Sequence, residues 1–555
     1  MTLSQLNPDV APRPEPFRWT RADTVAALHD CHEPHRTPDS QRHFAQQAGV
    51  PRATLQHWLH RQQHLDLDPL AARFFDSPPG LAFLQRLVTA AHLVFTLEST
   101  AGLRPLSRFL RLCQLDRVVA ASYGSRQQFA ALLEQAVCDF AATQRQQLAQ
   151  DMVPKDITLV EDETFHPSIC LVAIEPVSNF LLVEQYATHR DADTWNAAVS
   201  VALAGLAVTV VQAVGDEAKG LLAHAKEGLG VPHSPDLFHV QHDCSCATAP
   251  VLAAQTRHAQ HYLEQTLQQH DKALAAQQQA ATEPRGQGRP LNHEQRVAQS
   301  QAAVAGGQRW VATCEERQEQ ARAAIRAMGV ADHPFDLDKG QAQDATVVER
   351  RLTESFATLE TLAQTAQLPA SSQQRLAKAR RVLPGLVAAV AFFWLRVRAA
   401  AEQHYGAQSW VWVERLVAGM YLGGVASKVG TAERRRSLRA LGEQCLGEAR
   451  ASVSEPEGGW AAAERRAREW SGWFQRSSSC VEGRNGQLEL RHHSLHQLSK
   501  RKLETLTALH NYWLKRSGTT AAERFFGKKP DDLFEWLLTR LPVPARPARQ
   551  RLQAA

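Results

Sequence analysis

The spacing of apolar residues divides the chain into one strand-bearing stretch flanked by helical ones. Between 157 and 240, apolar residues fall in short runs bounded by turn residues, the signature of strands. The runs are 157–160, 169–174, 180–186, 208–214 and 236–240. The second and third are separated by Glu-Pro-Val-Ser-Asn, a turn composition that predicts a hairpin. Between the third and fourth, 191–204 sets Trp195, Ala198, Val199 and Leu203 on one side at helical spacing. A second helix is predicted over 217–227, so the order is three strands, helix, strand, helix, strand.

Elsewhere the period is helical. Residues 80–150 carry no strand signal, and 245–475 are rich in Ala, Gln, Arg and Glu. Long helix-compatible runs cover 251–281, 294–328 and 373–404, and the first two are expected to form an antiparallel coiled pair. The break between them, Pro284-Arg-Gly-Gln-Gly-Arg-Pro290, reads as a flexible turn; its Gly-Arg-Pro core is also similar to a minor-groove hook. Helical spacing resumes over 477–516 through Leu495, Leu498, Leu506, Leu509 and Trp513. The expected division is a flexible tail at 1–19, a helical DNA-binding region at 20–150, the first part of an α/β core at 151–244, a helical insertion at 245–475, the last part of the core at 476–541 and a basic tail at 542–555. The fold class expected is multidomain α+β.

Within the first helical region, 40–61 has a helix-turn-helix pattern. Phe44, Ala45 and Ala48 would face inward from one helix, Gly49 would make the turn, and Val50, Leu55, Trp58 and Leu59 would pack from the next. That leaves Arg52, Thr54, Gln56 and His57 outward at the start of a candidate recognition helix, unless the pair is an ordinary helical hairpin. A second, less specific helix-turn-helix is expected over 103–129.

Composition narrows the partners only a little. The 555 residues carry a formal charge of +5, a weak global signal for nucleic acid. Basic clusters at 434–436, 465–468 and 500–502 say more, although a charge run is usually a solvated face. Nine cysteines are scattered without CxxC spacing, which suits a reducing cytoplasm, and Cys244, Cys246, His258 and His261 make a poor zinc pattern. The N-terminus opens no charged-then-apolar leader. The longest apolar run, 382–395, contains Pro384 and is too short for a bilayer, so a soluble protein with no membrane partner is expected.

Three acids carry the candidate chemistry. Asp162 follows the first apolar run, Asp216 follows the fourth, and Glu482 stands in Ser477-Ser-Ser-Cys-Val-Glu482-Gly-Arg-Asn-Gly ahead of a helical pattern. Two hard divalent cations that activate a nucleophile and stabilise a leaving oxygen need oxygen ligands from several carboxylates. Asp162 is expected to bridge such a pair, with Asp216 and Glu482 on one ion each. Each acid has another reading. Glu161 and Glu163 flank Asp162, Asp216 would serve as an N-cap, Ser479 and Glu482 match a capping box, and Glu489 is a rival to Glu482.

Taken together, these acids, the Asp236-Leu-Phe-His239-Val segment after the second Asp, Val-Glu-Gly-Arg-Asn-Gly at 481–486 and Thr519-x-Ala-x-x-Arg-Phe525 resemble the DDE transposases of bacterial insertion sequences. The resemblance covers 155–242 and 477–540. It departs in spacing, because Glu482 lies 266 residues after Asp216, as in members with a large helical insert. It implies a ribonuclease H-like core interrupted by the insertion. It also implies two Mg²⁺ ions, with Mn²⁺ able to substitute, and double-stranded DNA as partner, both element ends and target. A homodimer or larger synaptic complex and a cytoplasmic, nucleoid-associated bacterial location follow. Arg484, Asn485 and Arg491 would touch phosphates near the cut, Lys500, Arg501 and Lys502 would track the backbone, and His239 would orient a ligand or a phosphate. Trp310, Trp394, Trp410 and Trp412 of the insertion read as core residues, with stacking on a flipped base as the alternative. The rival readings are a transposase-derived regulator without catalysis and a structure-specific nuclease without strand transfer.

Overall fold

The computed structural model describes residues 19–32, 41–63, 67–165, 168–282, 291–476, 478–495 and 498–547. The 1–18 stretch, the Pro284–Pro290 break and 548–555 lie outside the described residues. The protein is mostly helical with one small mixed sheet. The chain forms two compact units, one of Met1–Val153 with Gln487–Ala555 and one of Pro154–Gly486.

In the first unit, helices Gln41–Gln47 and Arg52–Gln63 flank a turn at Gly49, whose φ of 64° favours glycine. Phe44, Ala45, Val50, Leu55 and Trp58 are buried against Ala27 and Leu28 of the helix Arg21–His32, forming a small separate core. Arg52, Gln56 and His57 are exposed and Thr54 is half-buried. The region of the second expected helix-turn-helix holds helices Leu103–Leu112 and Tyr123–Gln150 with a single 3₁₀ turn between them. The described part of the basic tail, 542–547, is bonded to the rest of this unit. The carbonyl of Pro544 accepts from Arg21 Nη1 at 2.6 Å, that of Ala545 accepts from the Ala120 N–H at 2.7 Å, and Arg546 pairs with Asp76 at 2.8 Å. Its backbone groups and one of its arginines are thus tied to the helices of this unit.

In the second unit, β1 (Lys155–Phe165), β2 (Ile169–Glu175), β3 (Phe180–Ala187), β4 (Val208–Gly215) and β5 (His233–Pro235) form a sheet in the order β3-β2-β1-β4-β5. β1, β2 and β3 are antiparallel neighbours, while β4 and β5 run parallel to β1. The helix Ala192–Leu203 intervenes between β3 and β4, with Trp195 fully buried. Two expectations are corrected here. The fifth strand is His233–Pro235, not 236–240; the Leu-Phe-His-Val residues open a helix that runs from Leu237 to Thr282. The expected helix over 217–227 is a short α-helix, Lys219–Ala223, continued by a π-helical turn, His224–Leu229.

The helical part of this unit pairs Leu237–Thr282 with His293–Ala331, as the apolar spacing suggested, and continues through Ala345–Thr365, Ala370–Arg380, Leu383–Tyr405, Trp410–Lys428, Ala432–Ser452 and Trp460–Ser471. Its apolar core includes Phe335, Phe356, Leu386, Val390, Phe393, Leu416 and Trp470. Trp412 is buried in that core, Trp394 and Trp410 pack against it, and Trp310 is exposed beside Tyr262. Pro384 does not interrupt its helix: it lies in the first turn, where a missing N–H breaks no intrahelical bond. Two helical stretches, Pro78–Glu98 and Ala370–Tyr405, are long and apolar enough to span a bilayer by composition. Both contribute to cores, through Leu84 and Val88 in one and Leu386, Val390 and Phe393 in the other.

Candidate active site

Strand register assembles the site. Val160 of β1 pairs with Val214 of β4, and Val214 pairs with Ser234 of β5. Two residues further on each chain stand Asp162, Asp216 and Asp236. Register thus sets the three aspartates at the same level at the carboxyl end of the parallel ladder, Asp216 and Asp236 one residue beyond their strands. Asp162 is not at the end of its own strand. β1 runs on to Phe165 because it keeps its antiparallel partner, with Asp162 opposite Val172.

Strand alternation separates Asp162 from its acidic neighbours. Glu161 and Glu163 point to the other face. Glu161 is buried with an oxygen 3.0 Å from His224 Nε2, and the other ring nitrogen lies 2.6 Å from Asn196 Oδ1. Glu163 accepts from Trp195 Nε1 at 3.2 Å and from Arg190 at 3.3 Å. Both glutamates are therefore engaged in a polar network around the helix Ala192–Leu203. Asp162 instead accepts 2.9 Å from Asn485 Nδ2, while the Asn485 Oδ1 is buried without a partner.

Asp216 does not cap a helix. Its Oδ1 accepts from the Ala218 N–H at 2.9 Å in a tight local turn, and Ala218 itself occupies the N-cap of Lys219–Ala223. The capping box at Ser479 is likewise absent: Ser479 is the first residue of the helix Ser479–Leu495, and the first-turn N–H groups of Val481 and Glu482 bond to the Ser478 carbonyl.

Asp236 is the residue that sequence reasoning missed. It precedes the helix Leu237–Thr282, and its Oδ1 accepts from the Phe238 N–H at 2.7 Å. Its Oδ2 accepts from the Ser478 N–H at 2.9 Å and from the Ser478 hydroxyl. Beside it the Leu237 N–H donates to the Arg476 carbonyl at 2.9 Å. These bonds stitch the start of the Glu482 helix to the end of β5. One oxygen or nitrogen from each of Asp236, His239 and Glu482 lies within 4.8 Å of the others. Among the described residues this is the His, Cys, Asp and Glu group close enough to share one cation; Asp162 and Asp216 stand outside that radius.

They are nonetheless electrically part of it. Burial, helped by the charges of Asp216 and Glu482 and opposed by the Glu163 N–H and His239, raises the Asp162 carboxyl to about 6. Burial and Asp236 also raise Glu482, against His239 and His242. Asp162 and Glu482 are thus raised partly by neighbouring carboxylates, and the hard oxygen donors present suit Mg²⁺ or Mn²⁺.

The expected phosphate contacts divide. Arg484 is buried in a two-pronged ion pair with Glu184 of β3, Nε to Oε1 and Nη2 to Oε2 both at 2.6 Å, because its helix turns that side chain toward the sheet. Its guanidinium is committed inside the protein, contrary to the expectation. Arg491 donates 3.0 Å to the Glu98 carbonyl, and Lys502 is largely buried between the Thr96 carbonyl and Glu134. Lys500 and Arg501 are exposed. His239 lies in the first turn of the long helix rather than in a strand, its Nε2 buried without a hydrogen-bond partner and 3.9 Å from Asp236. Glu489 is exposed and faces His493 at 3.7 Å.

Residues 413–553 match a family of unknown function, DUF6399. No curated protein and no solved structure matches the chain.

Proposed function

We propose that the chain is a DNA transposase of the DDE type, with a ribonuclease H-like sheet as its catalytic core. What supports the reading most is strand register, which sets Asp162 and Asp216 at the same level of neighbouring parallel strands, together with the charge of Glu482, from a helix far along the chain, acting on Asp162. Strand order, mixed direction and acid positions suit that core, and the helical stretch between Asp216 and Glu482 is the insertion.

Asp162, Asp216 and Glu482 would hold two Mg²⁺ ions, with Asp236 and His239 the further donors beside Glu482. Such a pair lowers the pKa of an attacking hydroxyl and stabilises the leaving oxygen of a phosphodiester. The other residues position. Asn485 fixes one oxygen of Asp162 and leaves the other side of its amide for a water or a substrate hydroxyl. Asp236 grips Ser478 and so holds the Glu482 helix. Arg52, Thr54, Gln56 and His57 are the proposed readers of the element ends, and Lys500 and Arg501 the proposed contacts to the DNA backbone. Element-end recognition, cleavage, strand transfer to target DNA, a dimeric or larger synaptic complex and a nucleoid location are parts of the same proposal.

The test is Mg²⁺- or Mn²⁺-dependent cleavage and strand transfer on DNA carrying the flanks of the chain's own gene. Asp162→Asn, Asp216→Asn and Glu482→Gln should each lower cleavage at least 100-fold while end binding persists. End binding without wild-type cleavage would favour a regulator, and cleavage without transfer would favour a nuclease.

A further inference from the structure

A cavity of about 280 Å³ opens beside the acids. One wall carries four carboxylates, Asp216, Glu217, Asp236 and Asp243, with His239 and His242; the other comes from the helical insertion and carries Lys378, Ala379 and Val382. The two walls are held in fixed relation. Gly385, at the start of Leu383–Tyr405, lies so close to Pro235 that an added Cβ would stand 2.6 Å from the proline ring. At that volume the cavity is near the small end of ligand pockets, roughly 300–1,000 Å³, and takes one nucleotide unit rather than a duplex.

The lining suits the parts of such a unit. Pro235, Val240, Ala379 and Val382 offer apolar surface to a base or sugar. Lys378 supplies the positive charge. Asp243 already accepts a 3.1 Å bond from Arg375, whereas Lys378 Nζ stands 3.9 Å from the same carboxylate, beyond hydrogen-bond distance and mostly in solvent. Its ammonium can therefore turn to a phosphate without breaking a hydrogen bond, giving up only a loose, solvent-exposed ion pair with Asp243.

We propose that this cavity seats the nucleotide next to the cleaved phosphodiester and that Lys378, on the helical insertion, binds its phosphate. The inference rests on the metal-site reading above. It gives the insertion a direct contact with the strand being cut.

Calorimetry of the full-length protein tests it, with Mn²⁺ alone, thymidine 5′-monophosphate in the presence of Mn²⁺, and inorganic phosphate in the presence of Mn²⁺. In the wild type the nucleotide should bind more tightly than inorganic phosphate. Lys378→Ala should weaken the nucleotide roughly five- to tenfold, as loss of one charge-assisted contact does, with Lys378→Arg within about twofold of wild type and Mn²⁺ affinity unchanged in both. Equal nucleotide affinity in Lys378→Ala, or equal binding of inorganic phosphate and nucleotide, overturns the proposal. Mn²⁺ binding without nucleotide binding removes this inference alone. Absence of Mn²⁺ binding removes the metal-site reading and this inference with it.

Discussion

Replacing Arg484 by Met separates a phosphate contact from a structural one. The Arg484–Glu184 pair joins β3 to the Glu482 helix through two 2.6 Å hydrogen bonds, with both side chains buried. Opposite charges about 4 Å apart attract by about 4 kcal/mol at an effective dielectric constant of about 20. Methionine fills much of the same volume but leaves the Glu184 carboxylate buried without its cation. Breaking a buried pair in this way costs about 3–5 kcal/mol, whereas removing both charges together is often nearly neutral. Arg484→Met should therefore weaken hydrogen-exchange protection in β3 and in the first turns of the Glu482 helix and lower urea resistance. Arg484→Met with Glu184→Gln should recover most of both. Cleavage should fall with the single change, since Glu482 and Asn485 share that helix. The dependence of DNA affinity on salt should stay as in the wild type. A phosphate-binding Arg484 would behave in the opposite way, with stability kept and the logarithmic salt slope reduced by about one. That pair of results would refute the structural assignment.

Two other outcomes are expected. Asp332 is fully buried with both oxygens unpartnered, and burial pushes its carboxyl up to about 7, against the opposing charge of Arg476. A carboxyl raised in the folded state contributes stability that is fully present below its unfolded pKa near 3.8, declines as pH rises from there, and is lost once pH has passed about 7. The rise is about 3 pH units and gives an upper bound of about 4 kcal/mol. Asp332→Asn should flatten the fall in thermal stability between about pH 4 and pH 7, and an unchanged slope would contradict the assignment. Ser478→Ala removes the hydroxyl bond to Asp236 and keeps the backbone one; it should lower the cleavage rate a fewfold with DNA affinity unchanged, as measured by single-turnover kinetics.

What the sequence revealed depended on how local the cause was. The β2–β3 hairpin and β4 follow from apolar runs and a turn composition within a few residues, and the inward set of Phe44, Ala45, Val50, Leu55 and Trp58 follows from helical spacing. β5 was misplaced because His-Ser-Pro has no alternation to read, and the next residues, Leu-Phe-His-Val, suit a strand or a helix start equally. The visible cue was Asp236 directly before that apolar run, a favoured N-cap position. Period two already put Asp162 on the face opposite Glu161 and Glu163. Which face belongs to the site is decided by Trp195, Asn196 and His224, which draw the glutamates away. The fate of Arg484 was beyond reach, since its partner lies 300 residues earlier.

The Asp236–Ser478 bond spans 242 residues, and this gives the site an order in time. During synthesis Asp162, Asp216 and Asp236 leave the ribosome well before Ser478. At roughly 5–20 residues per second, Ser478 and Glu482 follow about 12–50 seconds later. Throughout that interval the end of β5 waits for its clasp while the helices of the insertion emerge and fold. A chain cut short between Asp236 and Ser478 would carry the aspartates and lack the glutamate. Under the proposed function, premature termination or proteolysis within the insertion then yields fragments unable to cut the DNA around them.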